Sequence, residues 1–144
     1  MKYFMLILLT VTISLSCSKD YDKSISDYLD SHGLTAEKHE SGIYYIIDKK
    51  GNDEHPTINN TVTMNYKGYY LDDEKFDSSY DRGKPLIHKL NGLIRGWQIG
   101  VPLFGKGGKG KLIIPPNFGY GSNPPNGVRS DAVLIFDIEL IDFK

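Results

Sequence analysis

The sequence predicts an α+β domain built on an antiparallel sheet, and three observations carry that prediction. Thr61 to Tyr70 and Val133 to Ile141 alternate apolar and polar residues, the period of a strand with one buried face. One short helical pattern, Arg95 to Gly100, stands between strand candidates. A loop rich in glycine and proline, Asn117 to Gly127, follows the strand that Pro115-Pro116 ends. At 144 residues the chain has room for one ordinary domain, and it shows no internal repeat.

Taken in order, the first 16 residues read as an export signal. Lys2 supplies a positive charge and Phe4 to Leu15 a short apolar run, of secretory rather than membrane-spanning length. The single cysteine, Cys17, follows directly. Leu15-Ser16-Cys17 resembles the end of a bacterial lipoprotein signal, although Ser14 stands where such motifs usually carry leucine. The resemblance makes Cys17 the expected lipidation site. It places the mature protein outside the cytoplasm, lipid-anchored to a bacterial membrane, the outer membrane in the first instance.

Ser18 to Lys23 is polar and reads as a tether. Ile25, Tyr28 and Leu29 then share one stripe of a short helix. Ser24 and Asp27 form an approximate capping box at its start, and Gly33 marks its stop. So short a helix is marginal alone and is expected to dock on the main domain. The strand candidates are Ile43 to Ile47, Thr61 to Tyr70, Pro85 to Leu90, Lys111 to Ile114 and Val133 to Ile141. In the second, Val62, Met64 and Tyr66 share a face; in the last, Leu134, Phe136, Ile138 and Leu140 do.

Several chemistries are excluded. A net charge of −1 without a basic run gives no electrostatic case for nucleic acid. His32, His39, His55 and His88 have no metal-ligand spacing, so neither metal nor cofactor is expected. No G-x-S-x-G elbow is present. Gly105 to Lys111 matches the spacing of a phosphate-binding loop, but Leu112 replaces the magnesium-binding hydroxyl and a strand replaces the helix. That run reads instead as a flexible, solvated hairpin approach.

Two segments carry positive signals. In Phe76-Asp77-Ser78-Ser79-Tyr80-Asp81-Arg82, an aromatic precedes a carboxylate that Arg82 can reach across a loop. Gly119 and Gly121 flank Tyr120 and leave its hydroxyl free to be presented.

Five segments in order resemble the FKBP family of peptidyl-prolyl cis-trans isomerases over Ile43 to Lys144. They are Tyr66-Lys67-Gly68, Phe76-Asp77-Ser78-Ser79, Leu93-Ile94-Arg95-Gly96-Trp97, Phe118-Gly119-Tyr120-Gly121 and Leu134-Ile135-Phe136-Asp137-Ile138-Glu139-Leu140. The resemblance implies a half-barrel antiparallel sheet wrapped around a short central helix, here with an extra N-terminal helix. The chain then divides into a signal (1–16), an anchored tether with a helix (17–40) and the isomerase domain (41–144).

The resemblance also implies a proline pocket. Asp77, Tyr120, Phe136 and Tyr66 would be catalytic; Phe76, Arg82, Leu86, Leu93, Ile94 and Trp97 would bind substrate. Trp97 would be the floor, Tyr66, Phe76 and Phe136 the walls, and the Ile94 N–H a donor. Two positions depart from the family. Leu86 and His88 stand where rim aromatics are usual, and Val128-Arg129-Ser130-Asp131 replaces an Ile-Pro-Pro type run. The expected function is acceleration of X-Pro rotation in exported polypeptides by a monomer. The rival expectations are a non-catalytic peptide-binding or chaperone module, and a scaffold of a surface, motility-type machine.

Overall fold

The computed structural model describes residues 20–144. The export signal and Cys17 lie outside the described residues. Seven strands form one sheet: β1 (Glu37–Lys38), β2 (Tyr44–Lys49), β3 (Thr61–Tyr69), β4 (Lys75–Ser78), β5 (Leu86–Lys89), β6 (Lys109–Ile114) and β7 (Leu134–Phe143). Their spatial order is β1-β2-β6-β7-β3-β4, β5 also pairs with β3, and every pairing is antiparallel. Two helices, α1 (Tyr21–Ser31) and α2 (Arg95–Gly100), lie on opposite faces.

The alternation in the sequence builds this arrangement. Val62, Met64 and Tyr66 of β3 and Leu134, Phe136, Ile138 and Leu140 of β7 turn to one face, where they meet Trp97, Val101 and Phe104. At Leu134 to Phe136 the other face is buried as well, because Ile135, Ile113 and Val133 meet Ile25 and Tyr28 of α1. The docking expected of the N-terminal helix is therefore observed. A Cβ on Gly96 would sit 2.5 Å from Ile114, so the missing side chain lets α2 lie directly on β6.

Three readings need correction. α1 begins at Tyr21, because the Asp20 carboxylate accepts the Lys23 N–H at 3.0 Å and caps it; Ser24–Asp27 lies inside the helix, and Asp20 to Lys23 is not tether. β1 and β4 are strands that the residue pattern does not reveal. Each is four residues or shorter and largely polar, too short to show a strand period, and each becomes a strand only by pairing with its neighbour in the chain, β2 or β3. The Gly105–Gly110 run is not a flexible, solvated approach. Gly105, Gly108 and Gly110 are buried, and a Cβ on Gly105 or Gly110 would run into the carbonyls of Asn52 or Ile46.

Among the described residues, no helix is long and apolar enough to cross a membrane. The described residues also contain no cluster of His, Cys, Asp and Glu able to hold a metal.

Candidate active site

Between the sheet and α2 lies a cavity of about 130 Å³ lined by Tyr66, Phe76, Asp77, Leu86, Leu93, Ile94, Trp97, Tyr120 and Phe136. Five elements and two loops converge there. Tyr66 comes from β3, Phe76 and Asp77 from β4, Leu86 from β5, Trp97 from α2 and Phe136 from β7. Leu93 and Ile94 precede α2, and Tyr120 begins the long loop before β7.

The aromatic rings meet edge to face. Trp97 lies 5.0 Å from both Tyr66 and Phe136, at 78° and 82°, and Phe76 meets Phe136 at 5.7 Å and 81°. Each such pair is worth roughly 0.5–1.5 kcal/mol beyond its buried area, so the walls hold one another in place. Trp97 is only 4% exposed, a core residue with one edge on the cavity.

One wall is polar. The Asp77 carboxylate accepts the Tyr66 hydroxyl, a guanidinium N–H of Arg82 and, at 2.8 Å, the Ser78 N–H. Arg82 also donates to the Tyr66 oxygen at 2.7 Å. Burial, reinforced by the Asp77 carboxylate, pushes the Tyr66 hydroxyl up to about 12, so it stays a donor at neutral pH. Arg82 does not line the cavity; it reaches the site through Asp77 and Tyr66. His88 does not line the cavity: its Nδ1 is bonded to the Lys89 carbonyl at 2.8 Å and its ring lies over Gly92, so of the two positions Leu86 alone forms that side of the rim.

Three donors around the cavity have no partner among the described residues: the buried Trp97 indole N–H, the Ile94 backbone N–H and the Tyr120 hydroxyl. Burial and the nearby Asp77 charge push the Tyr120 hydroxyl above its ordinary value and keep it protonated. The Ile94 and Tyr120 groups are half-buried and ready for an incoming acceptor; the Trp97 indole N–H is sealed in the core, where an unpartnered donor costs roughly 1–3 kcal/mol.

Sequence reasoning missed two supporting residues. Ser79, fully buried, takes the Tyr66 N–H on its hydroxyl at 2.9 Å and so locks β4 beside β3. Tyr70 stacks on Phe76 at 4.8 Å behind the cavity wall. Ser79 carried a signal as a hydroxyl inside the Phe76–Arg82 segment, whereas Tyr70 was one of ten tyrosines.

A larger groove of about 480 Å³ lies beside the start of α1. Its polar groups satisfy one another: Lys38 and the Tyr44 hydroxyl both reach the Asp22 carboxylate, at 2.6 and 2.9 Å, and Asp20 caps α1. The smaller cavity, with open donors and aromatic walls, is the better candidate site.

Fold and site together define an α+β protein with an apolar, aromatic-walled cavity between an antiparallel sheet and a short helix. Residues 52–141 match the family described as FKBP-type peptidyl-prolyl cis-trans isomerase, and the chain belongs to that family. It is 53% identical over 108 residues to the FKBP-type peptidyl-prolyl cis-trans isomerase FkpA of Buchnera aphidicola subsp. Schizaphis graminum, covering 74% of this chain and 43% of that protein. Against FkpA of Escherichia coli K12 it is 43% identical, covering 72% and 38%. The chain thus spans about two fifths of the length of these curated relatives. The crystal structure of Escherichia coli FkpA superposes with a TM-score of 0.78 at 37% identity, over 86% of this chain and 59% of that one. AtFKBP13 superposes with a TM-score of 0.71 at 29% identity, over 77% of this chain and all of that one.

Proposed function

We propose that this protein accelerates cis-trans rotation of X-Pro bonds in exported polypeptides, binding the proline in the aromatic cavity and held at a membrane through Cys17. The observation that carries the reading is the cavity itself. At about 130 Å³ it is smaller than the roughly 300–1,000 Å³ of sites for drug-sized ligands, and suits one small apolar ring.

The residue chemistry fits the reaction. Rotation about an amide must break its resonance, against about 18–20 kcal/mol. The twisted amide has lost charge separation, so a dry aromatic cavity stabilises it relative to water. Each ~1.4 kcal/mol of that preference is tenfold in rate. Trp97 supports the proline ring from below, and Tyr66, Phe76 and Phe136 enclose it. The Ile94 N–H and the Tyr120 hydroxyl donate to carbonyls of the bound segment. Asp77, oriented by Tyr66, Arg82 and Ser78, places a fixed negative charge beside the rotating amide. No bond is cut, so the step needs no leaving-group acid.

The test of activity is an isomerisation assay on X-Leu-Pro-X peptides. The expected result is a rate that rises linearly with protein concentration; a rate equal to the uncatalysed one overturns the reading. The anchor is tested by palmitate labelling of the parent and of Cys17→Ser. Label is expected only in the parent, and label persisting in the variant rejects Cys17. A monomer is expected in size-exclusion with light scattering.

A further inference from the structure

Arg129 stands where the family resemblance led us to expect an apolar, proline-bearing rim, and the structure gives it another place. Its guanidinium donates to Asp72 at 2.7 Å and to Glu74, both in the turn that joins β3 to β4. The same guanidinium lies 4.2 Å from the centre of the Tyr70 ring. The Arg129 backbone N–H donates to the Tyr70 hydroxyl at 2.9 Å. Tyr70 in turn stacks on Phe76, a cavity wall. An unbroken line of contact therefore runs from Arg129 through Tyr70 into the site.

Arg129 also governs the loop that presents Tyr120. The loop is closed at its base, where the Asp131 N–H donates to the Gly121 carbonyl at 2.8 Å and the Ser130 hydroxyl to the Ser122 carbonyl at 3.3 Å. Val128 packs against the core on one side of Arg129, and Ala132 on the other. Beyond that closure, the Arg129 contacts tie the loop to the β3–β4 turn. A proline run would stiffen such a loop through its fixed backbone angle; here two ion pairs and a stacked ring take that part.

We propose that Arg129 is a positioning residue for substrate binding: it fastens the Tyr120 loop to the β3–β4 turn and braces Phe76 through Tyr70, so that affinity for a proline-containing segment depends on this ionic clamp. The proposal rests on the isomerase reading above. A clamp of this kind sets the fraction of molecules whose site is assembled. Losing it raises apparent KM in proportion and leaves the turnover of bound substrate alone. Both ion pairs are exposed, with Arg129, Asp72 and Glu74 side chains 43%, 56% and 65% accessible, so salt should weaken them.

The experiment uses the full chain and an X-Leu-Pro-X peptide, with Arg129→Ala and the double variant Asp72→Asn/Glu74→Gln. Each is expected to raise KM about three- to tenfold with kcat within about twofold of the parent. Raising NaCl from about 0.05 M to about 1 M should raise the parent's KM and leave that of Arg129→Ala in place. Amide hydrogen exchange over 120–131 should be faster in both variants. If Arg129→Ala fails to fold, the double variant and the parent's salt series decide. Parent-like KM in the variants, a loss confined to kcat, or salt-independent KM in the parent overturns the proposal. A parent with no activity overturns the isomerase reading instead, and unchanged exchange in the variants then overturns the clamp by itself.

Discussion

The two faces of the sheet differ in how fully their polar groups are satisfied. Under α1, polar groups pair with each other. Lys111 reaches both the Tyr69 hydroxyl and Asp137, the Tyr69 hydroxyl donates to Asp137 at 3.0 Å, and His32 meets Asp73 at 3.0 Å. Burial and the Asp137 charge push the Tyr69 hydroxyl far above its ordinary value, so it stays a neutral donor. On the α2 face, the Ile94 amide and the Tyr120 hydroxyl are left open around an apolar cavity, and the buried Trp97 indole N–H has no partner among the described residues. The first pattern is what a structural interface needs. The second leaves hydrogen-bonding capacity for a ligand to complete.

The sharpest way to break this contrast is to hollow each face in turn. Phe136→Ala should cost about 3–5 kcal/mol, since the side chain is 2% exposed, and should abolish isomerisation even in the folded fraction. Ile25→Ala should cost about 2–5 kcal/mol for a fully buried residue, yet leave kcat/KM of the folded protein unchanged. Urea unfolding with activity measured below the transition separates the two effects. Equal losses of activity would erase the distinction between the faces.

A smaller effect is expected from Asp77→Asn. The Asp77 and Arg82 side chains are each 41% exposed, so their pair contributes only about 0–1 kcal/mol to stability. Removing the charge should lower kcat/KM about tenfold, or roughly 1.4 kcal/mol. Losing that carboxylate also lets the Tyr66 hydroxyl titrate below its present value of about 12. An ultraviolet titration of tyrosinate reads that change.

The mildest test lies on the α1 face and depends on pH. Asp73, with the Tyr28 carbonyl, raises the His32 imidazole above its ordinary 6.5, against the opposing effects of desolvation and, more weakly, of the Lys111 charge. A raised folded value means that the pair stabilises fully below the unfolded value and that this stability fades as pH rises through the folded one. His32→Gln should therefore lower the midpoint of thermal unfolding at pH 5.5 and converge on the parent by pH 8.5. Isomerisation should be unaffected at either pH.

The legibility of the two faces also differed. The strands and helix around the cavity were readable, because alternation at Val62, Met64 and Tyr66, and at Leu134 to Leu140, directly encodes one buried face. Most cavity residues were named from five short segments; what those segments could not convey was which groups would stand unpartnered. The start of α1 was misplaced because two carboxylate-bearing stretches could cap it, and only the Asp20 contact with Lys23 decides. β4 hid in a run of charges, its strand character lent by β3. Arg129 looked like a polar rim because its partners, Asp72 and Glu74, lie more than 50 residues earlier.

The central claim is that the open donors on the α2 face receive a proline-containing peptide. The direct measurement is a titration of ¹⁵N-labelled protein with an X-Leu-Pro-X peptide, following the Trp97 indole and Ile94 amide resonances alongside those of Ile25 and Tyr28 in α1. Saturable shifts at Trp97 and Ile94 with one dissociation constant, and still resonances in α1, are the predicted result. Shifts in α1 with Trp97 and Ile94 unmoved would contradict it.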